Sequence, residues 1–516
     1  MNVLSVSWRT SLPGRPPAEW LDAAQSLTLG GHGQEALALL EAGHASCPHH
    51  SGLSLALAGF YVDRQRYVEA ERLLNAIRKE HPNHLGAAFM LARVLKAQGQ
   101  LNRMAQQLVA ALSLHSLDTE LAIETIEALD DADRKAEAYA ICQRALNAEC
   151  ADDARLHAYA GMLAIQLGQF VHARAHYEAV LEQAGEPRAW EWHIAAGISQ
   201  SQRYVEPADV DRQRFQQALR RDDISPAARI ELLFALGKLH DDLGDAGAAA
   251  EAWREANTLA HAHSRWSRKT WRRMIDARIH AAPMRQRPLE SRGWAPLFVV
   301  GVPRSGTTLL AQRLASLADI VQRGELRWLP EMAAQLPDPA QAALLAKHYE
   351  LQLRQDDRHA KWFIDKQPLN LLHIDLILAL WPDAKIVCCV RNPRDTALSI
   401  WTQRFGDPAH DYAYDFHDIA AVIQGCHRLT GHWIARYPAS VRLVSYETMV
   451  VAPDAEIESL GKWLNTAPEV ESATRISPVM ISTASVWQAR QPIYQTSVGR
   501  WRTYAEFFPE LLRFDS

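Results

Sequence analysis

The residues able to do chemistry stand directly behind short apolar runs. Leu297-Phe298-Val299-Val300 leads into Gly301-Val302-Pro303-Arg304-Ser305-Gly306-Thr307-Thr308, and a second apolar run opens at Leu309. The pattern predicts a strand, a tight loop and a helix start. Backbone N–H groups at such a start point outward and favour an anion. The spacing Gly301-x4-Gly306-Thr307-Thr308 is that of a phosphate-cradling loop. It departs from the nucleoside-triphosphate version at Thr307, where that version has the Lys that reaches the terminal phosphates. An ordinary strand–turn–helix joint would share the glycines. The Arg304-Ser305-Gly306-Thr307-Thr308 run favours a site for a phosphate-like group other than a magnesium triphosphate.

Three more polar clusters follow apolar runs in the same half. Lys361–Ile364 ends at Asp365-Lys366-Gln367-Pro368, before a helix expected over 369–381. The strand-like run Lys385–Val390 ends at Arg391-Asn392-Pro393-Arg394-Asp395, which opens a helix carrying Ser399. Val441–Val444 ends at Ser445-Tyr446-Glu447. Alternating strand and helix signals from Pro296 onward predict a parallel sheet with crossover helices. Ligands bind such sheets at the carboxyl ends of the strands, where these clusters fall.

The elements before this half form a repeat. Ala36, Ala70 and Ala138 are separated by multiples of 34 residues, with Met104 and Ala105 at the intervening slot. Ala24, Ala58 and Ala92 keep the same interval, as do Pro48 and Pro82, and Ala111 and Ala145. Two antiparallel helices per unit need small residues where they cross, and a Pro stops the second helix. This 34-residue period resembles a tetratricopeptide repeat array. The phase slips by one residue near Gly168-Gln169-Phe170 and Ala173. Ser199–Arg221 reads as an irregular pair, and another good unit spans Ala227–Ala260. The expected organisation is an extension over 1–18, the array over 19–262, a basic helix and linker over 263–294, and an α/β domain over 295–516.

At 516 residues the chain is long enough for several domains, and 48% hydrophobic with 22% charged residues is ordinary for a soluble protein. The net charge of −5 argues against a nucleic-acid partner. No run suits a membrane span or a signal peptide. Six cysteines without CxxC spacing suggest a reduced, cytoplasmic protein. Cys47 with His49-His50 lacks a second ligand pair, so no metal is expected. The junction His261–Trp294 is rich in Arg, which reads as a solvated helix face before it reads as an anion-attracting rim.

The loop Gly301–Thr308, Arg391 with Ser399 eight residues on, and the late Trp501 together resemble the sulfotransferases. These enzymes are similar in fold to P-loop kinases and take a sulfuryl group from 3′-phosphoadenosine 5′-phosphosulfate (PAPS), leaving phosphoadenosine phosphate (PAP). With the array in front, the chain resembles a tetratricopeptide repeat-containing sulfotransferase. Its catalytic half is similar to protein-tyrosine sulfotransferases over about 298–504. The resemblance implies a donor site and no metal. Arg304, Ser305, Gly306, Thr307 and Thr308 would hold the 5′-phosphosulfate, and Arg391 and Ser399 the 3′-phosphate. Tyr446 would lie near the nucleotide. Glu325, in Arg323-Gly324-Glu325-Leu326, matches the general base. Lys366 would neutralise the leaving bridging oxygen, with help from Arg304. Ser485-x-x-Gln488 matches the family's Ser-x-x-Gln, which places Ser485 at the phosphosulfate and Gln488 in a flap. Arg500 stands where the family has a Lys near the 3′-phosphate. The family's further Arg falls at Gln403, beside Arg404. His373 and His348 stand in no matching motif.

The function implied is in-line sulfuryl transfer from PAPS to an acceptor hydroxyl, with protein tyrosine as one acceptor. The array would suit a peptide or protein partner. A glycan, lipid or small-molecule acceptor stays open. The competing readings are a P-loop nucleotide kinase or NTPase, against which Thr307 counts, and a non-enzymatic adaptor. The set Arg304, Glu325, Lys366, Arg391, Ser399 and Ser485 counts against the adaptor.

Overall fold

The computed structural model describes residues 14, 16–113, 118–147, 153–206, 209–284, 293–326, 328–334, 339–355, 360–466 and 496–514. The chain forms two compact units. The first holds the residues up to Ile141 and a later stretch from Lys347; the second holds the rest, apart from short exchanges near residue 145.

The first unit is built of antiparallel helix pairs, beginning with Pro17–Leu29 and Gly33–Ser46, then Ser51–Asp63 and Tyr67–Glu80. The 34-residue period has a backbone cause. The turn inside each pair needs one residue in the left-handed region, and that residue is Gly31 (φ 78°), Gln65 (59°), Gly99 (70°) and Asp133 (58°). A second slot caps the next pair. The side chains of His50, His84 and Asp118 accept from the N–H of Leu53, Ala87 and Leu121. Past the first unit, in the second, both slots slip by one residue, to Asp153, which accepts from the N–H of Arg155, and Gly168 (75°). The expected small residues are the crossing points: Ala36, Ala58, Ala70, Ala92, Ala105 and Ala138 are all buried, as is the larger Met104. His50 is thus a cap, and His49 pairs with Glu80 at 2.9 Å.

In the second unit the helices continue. The irregular stretch contains short helices Ile194–Gln200 and Val210–Leu219. The last regular pair is α1 (Pro226–Asp242) and α2 (Ala246–Ala262). Gly237 lets the pair close, because a Cβ there would lie 2.4 Å from Trp253 Nε1. The basic helix is α3 (Arg268–His280).

A five-stranded, wholly parallel sheet follows: β1 (Ala295–Gly301), β2 (Ile320–Gln322), β3 (Trp362–Asp365), β4 (Lys385–Val390) and β5 (Val441–Ser445), in the order β2-β3-β1-β4-β5. Central β1 is buried along its whole length, which is why its sequence is a continuous apolar run. Its register sets Phe298 beside Asp365 and Val300 beside Cys388, so β3 and β4 deliver their polar ends to the same edge. One face is covered by α4 (Thr307–Leu314), with Leu310 and Leu314 packing on Leu297, Val299 and Val387. The remaining helices used below are α5 (Pro393–Trp401), α6 (Phe416–Arg436) and α7 (Tyr446–Val451).

Three local readings differ. The helix expected over 369–381 is a 3-10 turn, Pro368–His373, followed by an α-helix, Ile374–Leu380. Strand β2 was not foreseen, being three residues long. The basic helix α3 is neither free nor wholly solvated. Trp271 and Ile275 are buried, Trp271 Nε1 donates to Ala421 O at 3.0 Å, and Arg268 pairs with Asp418 of α6.

Candidate active site

The loop between β1 and α4 has the strained geometry expected of an anion cradle. Gly301 (φ 153°), Arg304 (72°) and Gly306 (103°) all have positive φ. A Cβ on Gly301 would lie 2.3 Å from Cys389 O, and one on Gly306 would lie 2.4 Å from the Tyr446 ring. Only glycine fits either place. Arg304 carries a side chain in this region, a conformation that costs about 1 kcal/mol and persists where surroundings impose it. Ser305 is 1% exposed, and its hydroxyl has no hydrogen-bond partner among the described residues. Such a buried hydroxyl is costly unless a ligand completes it.

Arg391, directly after β4, ties the site together. Its Nη1 donates to Arg304 O at 3.2 Å and its Nη2 to Ser497 O at 2.7 Å. The guanidinium lies 4.6 Å from the centre of the Tyr446 ring, and Tyr446 Oη is 2.7 Å from Ser497 Oγ. Its buried Nε has no partner among the described residues. Arg304 Nε donates to Ser399 Oγ at 3.1 Å. Arg304, Ser399, Arg391 and Tyr446 are therefore one connected group.

On the other side of β1, Lys366 follows β3. Its Nζ donates to Glu325 Oε1 at 2.6 Å; the Lys side chain is 4% exposed and the Glu side chain 31%. The backbone fixes this meeting, since Lys366 N donates to Gly324 O and Arg323 N to Ile364 O, both at 2.8 Å. Buried Asp365 braces the turn by accepting from Gln367 N and Asn370 Nδ2, each at 2.9 Å. A carboxylate with partial solvent access, set beside a sequestered ammonium, can accept a proton while the ammonium attends a neighbouring anion.

Arg500 lies against the helical array: its Nη2 donates to Asp241 Oδ2 of α1 at 2.5 Å. Burial would lower this guanidinium, and the carboxylate reverses that and raises it. Arg404 donates to Glu231, also on α1, which further receives Ala196 N at 3.0 Å. Arg500, Ser399 and Gln403 line one cavity of about 600 Å³. Ser485 and Gln488 lie outside the described residues. His373 is buried, and that burial, with Arg278 adding to it, pushes its imidazole down to about 4. His348 belongs to the first compact unit. Burial pushes the Cys388 and Cys389 thiols up to about 12, so neither is a ready nucleophile.

Two contributors escaped sequence reasoning. Buried Asp395, in the first turn of α5, accepts from Gly499 N at 2.7 Å and Trp501 N at 3.0 Å, and so fixes the returning segment that carries Ser497 and Arg500. Its only signal was an acid at a helix N-terminus. Asp241 gave no signal, being 259 residues from its partner.

Comparison with known proteins adds the following. Residues 296–469 match a family model described as the sulfotransferase family, and residues 29–84 match a tetratricopeptide repeat model. An uncharacterized protein of Aquifex aeolicus (strain VF5) is 27% identical over 310 residues, covering 54% of this chain and 40% of that protein. A Caenorhabditis briggsae protein, named as a candidate protein-tyrosine sulfotransferase, is 24% identical over 197 residues, covering 33% of this chain and 65% of that protein. The matches thus span 40% and 65% of these relatives' lengths. Among solved structures, MamA (41-end) from Desulfovibrio magneticus RS-1 is 17% identical with a TM-score of 0.26, covering 33% of this chain and 94% of its own. A thermophilic tetratricopeptide protein of Thermus thermophilus is 19% identical with a TM-score of 0.23, covering 35% and 96%.

Proposed function

We propose that this chain, a tetratricopeptide solenoid followed by a sulfotransferase-family domain, transfers a sulfuryl group from PAPS to an acceptor hydroxyl. The observation that carries the reading is the pairing of a glycine-bounded loop, whose Ser305 hydroxyl has no partner among the described residues, with a Glu325–Lys366 pair at the next strand end. These residues fit the donor. The N–H groups and hydroxyls of Ser305, Thr307 and Thr308 would hold the 5′-phosphosulfate, and Arg391, Ser399 and Tyr446 the nucleotide. PAPS supplies an activated sulfuryl group on a phosphate leaving group.

Glu325 takes the acceptor's hydroxyl proton as the new sulfur–oxygen bond forms. Electrons of the breaking sulfur–oxygen bond pass to the bridging phosphate oxygen, and PAP leaves. Protonation of Glu325 releases Lys366 from its ion pair at the moment when that oxygen gains charge, and Arg304 adds a second cation. Ser485, Gln488 and Arg500 keep their proposed donor contacts, Arg500 from its place beside Asp241. The acceptor we favour is a tyrosine hydroxyl in a peptide, a reading supported by the Caenorhabditis relative's name.

The test is incubation of the purified chain with ³⁵S-labelled PAPS and a lysate of the source cell, followed by identification of the labelled species. Binding of PAP, with no response to ATP and magnesium, accompanies the expected result. ATP turnover without PAPS turnover would overturn the proposal.

A further inference from the structure

The cavity lined by Ser399 and Arg500 has α1 of the helical array as another wall, including Lys238 and Asp241. Asp241 takes two donors from the far end of the chain. Arg500 Nη2 reaches Oδ2 and Tyr504 Oη reaches Oδ1, each at 2.5 Å. Asp395 holds the same returning segment through Gly499 N and Trp501 N. Arg500 is thus braced from both sides, by α5 of the sheet domain and by the last regular repeat.

A guanidinium has five N–H donors, so one carboxylate contact leaves others for a second anion. A braced Arg also binds phosphate without first giving up rotamer freedom. We propose that Asp241 is a positioning residue of the donor site, holding Arg500 so that its remaining donors face the cavity beside Ser399 and receive the nucleotide's 3′-phosphate. The inference rests on the donor reading above. It makes the final repeat part of what separates a 3′-phosphorylated nucleotide from one without that group, rather than a separate module.

The experiment uses the full chain and two probes, adenosine 3′,5′-bisphosphate and adenosine 5′-monophosphate, titrated by calorimetry. Wild type should prefer the bisphosphate. Asp241→Asn keeps the shape but removes the charge, and should weaken the bisphosphate by about tenfold while leaving the monophosphate within about twofold. Arg500→Ala should lose the same preference, and the double variant should lose no more than Arg500→Ala alone. Asp241→Ala with Tyr504→Phe clears both sides of the pair, should Asp241→Asn fail to fold. A wild type that binds both probes equally overturns the donor reading itself. A wild type with the preference, but with Asp241 variants that keep it, bind the bisphosphate more tightly or weaken both probes alike, overturns only the role of Asp241.

Discussion

Replacing Glu325 by Gln tests the proposed base and its ion pair in one variant. The substitution keeps the side chain's size and removes its charge and its ability to take a proton. Loss of a general base lowers turnover by about 10² to 10⁴-fold. The structure adds a second cost. Lys366 is 4% exposed and loses the carboxylate that lay 2.6 Å from its Nζ. Breaking a fully buried pair costs about 3–5 kcal/mol. Glu325 is 31% exposed, so water screens part of that, and about 1–3 kcal/mol is the expected loss. Replacing both residues, with Lys366→Met, should return most of this stability without returning activity. The assay is steady-state sulfuryl transfer beside chemical denaturation of the same preparations. Turnover within threefold of wild type for Glu325→Gln would remove it as the base. An unchanged denaturation midpoint would refute the ion-pair argument.

Three other outcomes follow from the geometry. Gly306→Ala must push a Cβ into the Tyr446 ring at a φ of 103°, costing about 1–3 kcal/mol; PAP affinity measured by calorimetry should fall at least about tenfold. His373 is held near 4 when folded against 6.5 unfolded, so the unfolded chain binds the extra proton between those values. Stability from this residue is therefore complete above pH 6.5 and is lost as pH falls toward 4, by up to about 3 kcal/mol; urea midpoints at pH 7.5 and 5 should converge in His373→Leu. Gln65 and Gly99 occupy the same left-handed turn slot. Gln65→Gly should leave stability level or raise it by less than about 1 kcal/mol, whereas Gly99→Ala would set a Cβ 2.1 Å from Leu351 O and should lower the melting temperature clearly.

Local patterns were legible where they follow from local physics. The 34-residue period could be read from buried alanines, yet the structure shows a firmer signal in the cap at His50, His84 and Asp118 and the turn at Gly31, Gln65, Gly99 and Asp133. That signal was hidden because chemically unlike residues fill each slot: histidine caps as aspartate does, and Gln or Asp can take the left-handed turn that glycine prefers. Strands β1, β3, β4 and β5 were readable because buried parallel strands are continuous apolar runs. Three-residue β2 is too short to show a pattern. Of the candidate site, the meeting of Glu325 with Lys366 and of Arg304 with Ser399 came only from the fold. Asp395 and Asp241 were illegible for the same reason: each acts through residues more than 100 positions away.

The bond from Arg304 to Ser399, and that from Arg391 to the Arg304 carbonyl, make the Gly301–Thr308 loop and the Arg391–Ser399 pair a single caliper whose opening is set by the fold. On the donor reading, such a caliper gauges the span between two charged ends of a ligand as well as their charge. Adenosine 2′,5′-bisphosphate carries the same groups at a different span. It should be turned away by misfit alone, with no residue acting to repel it.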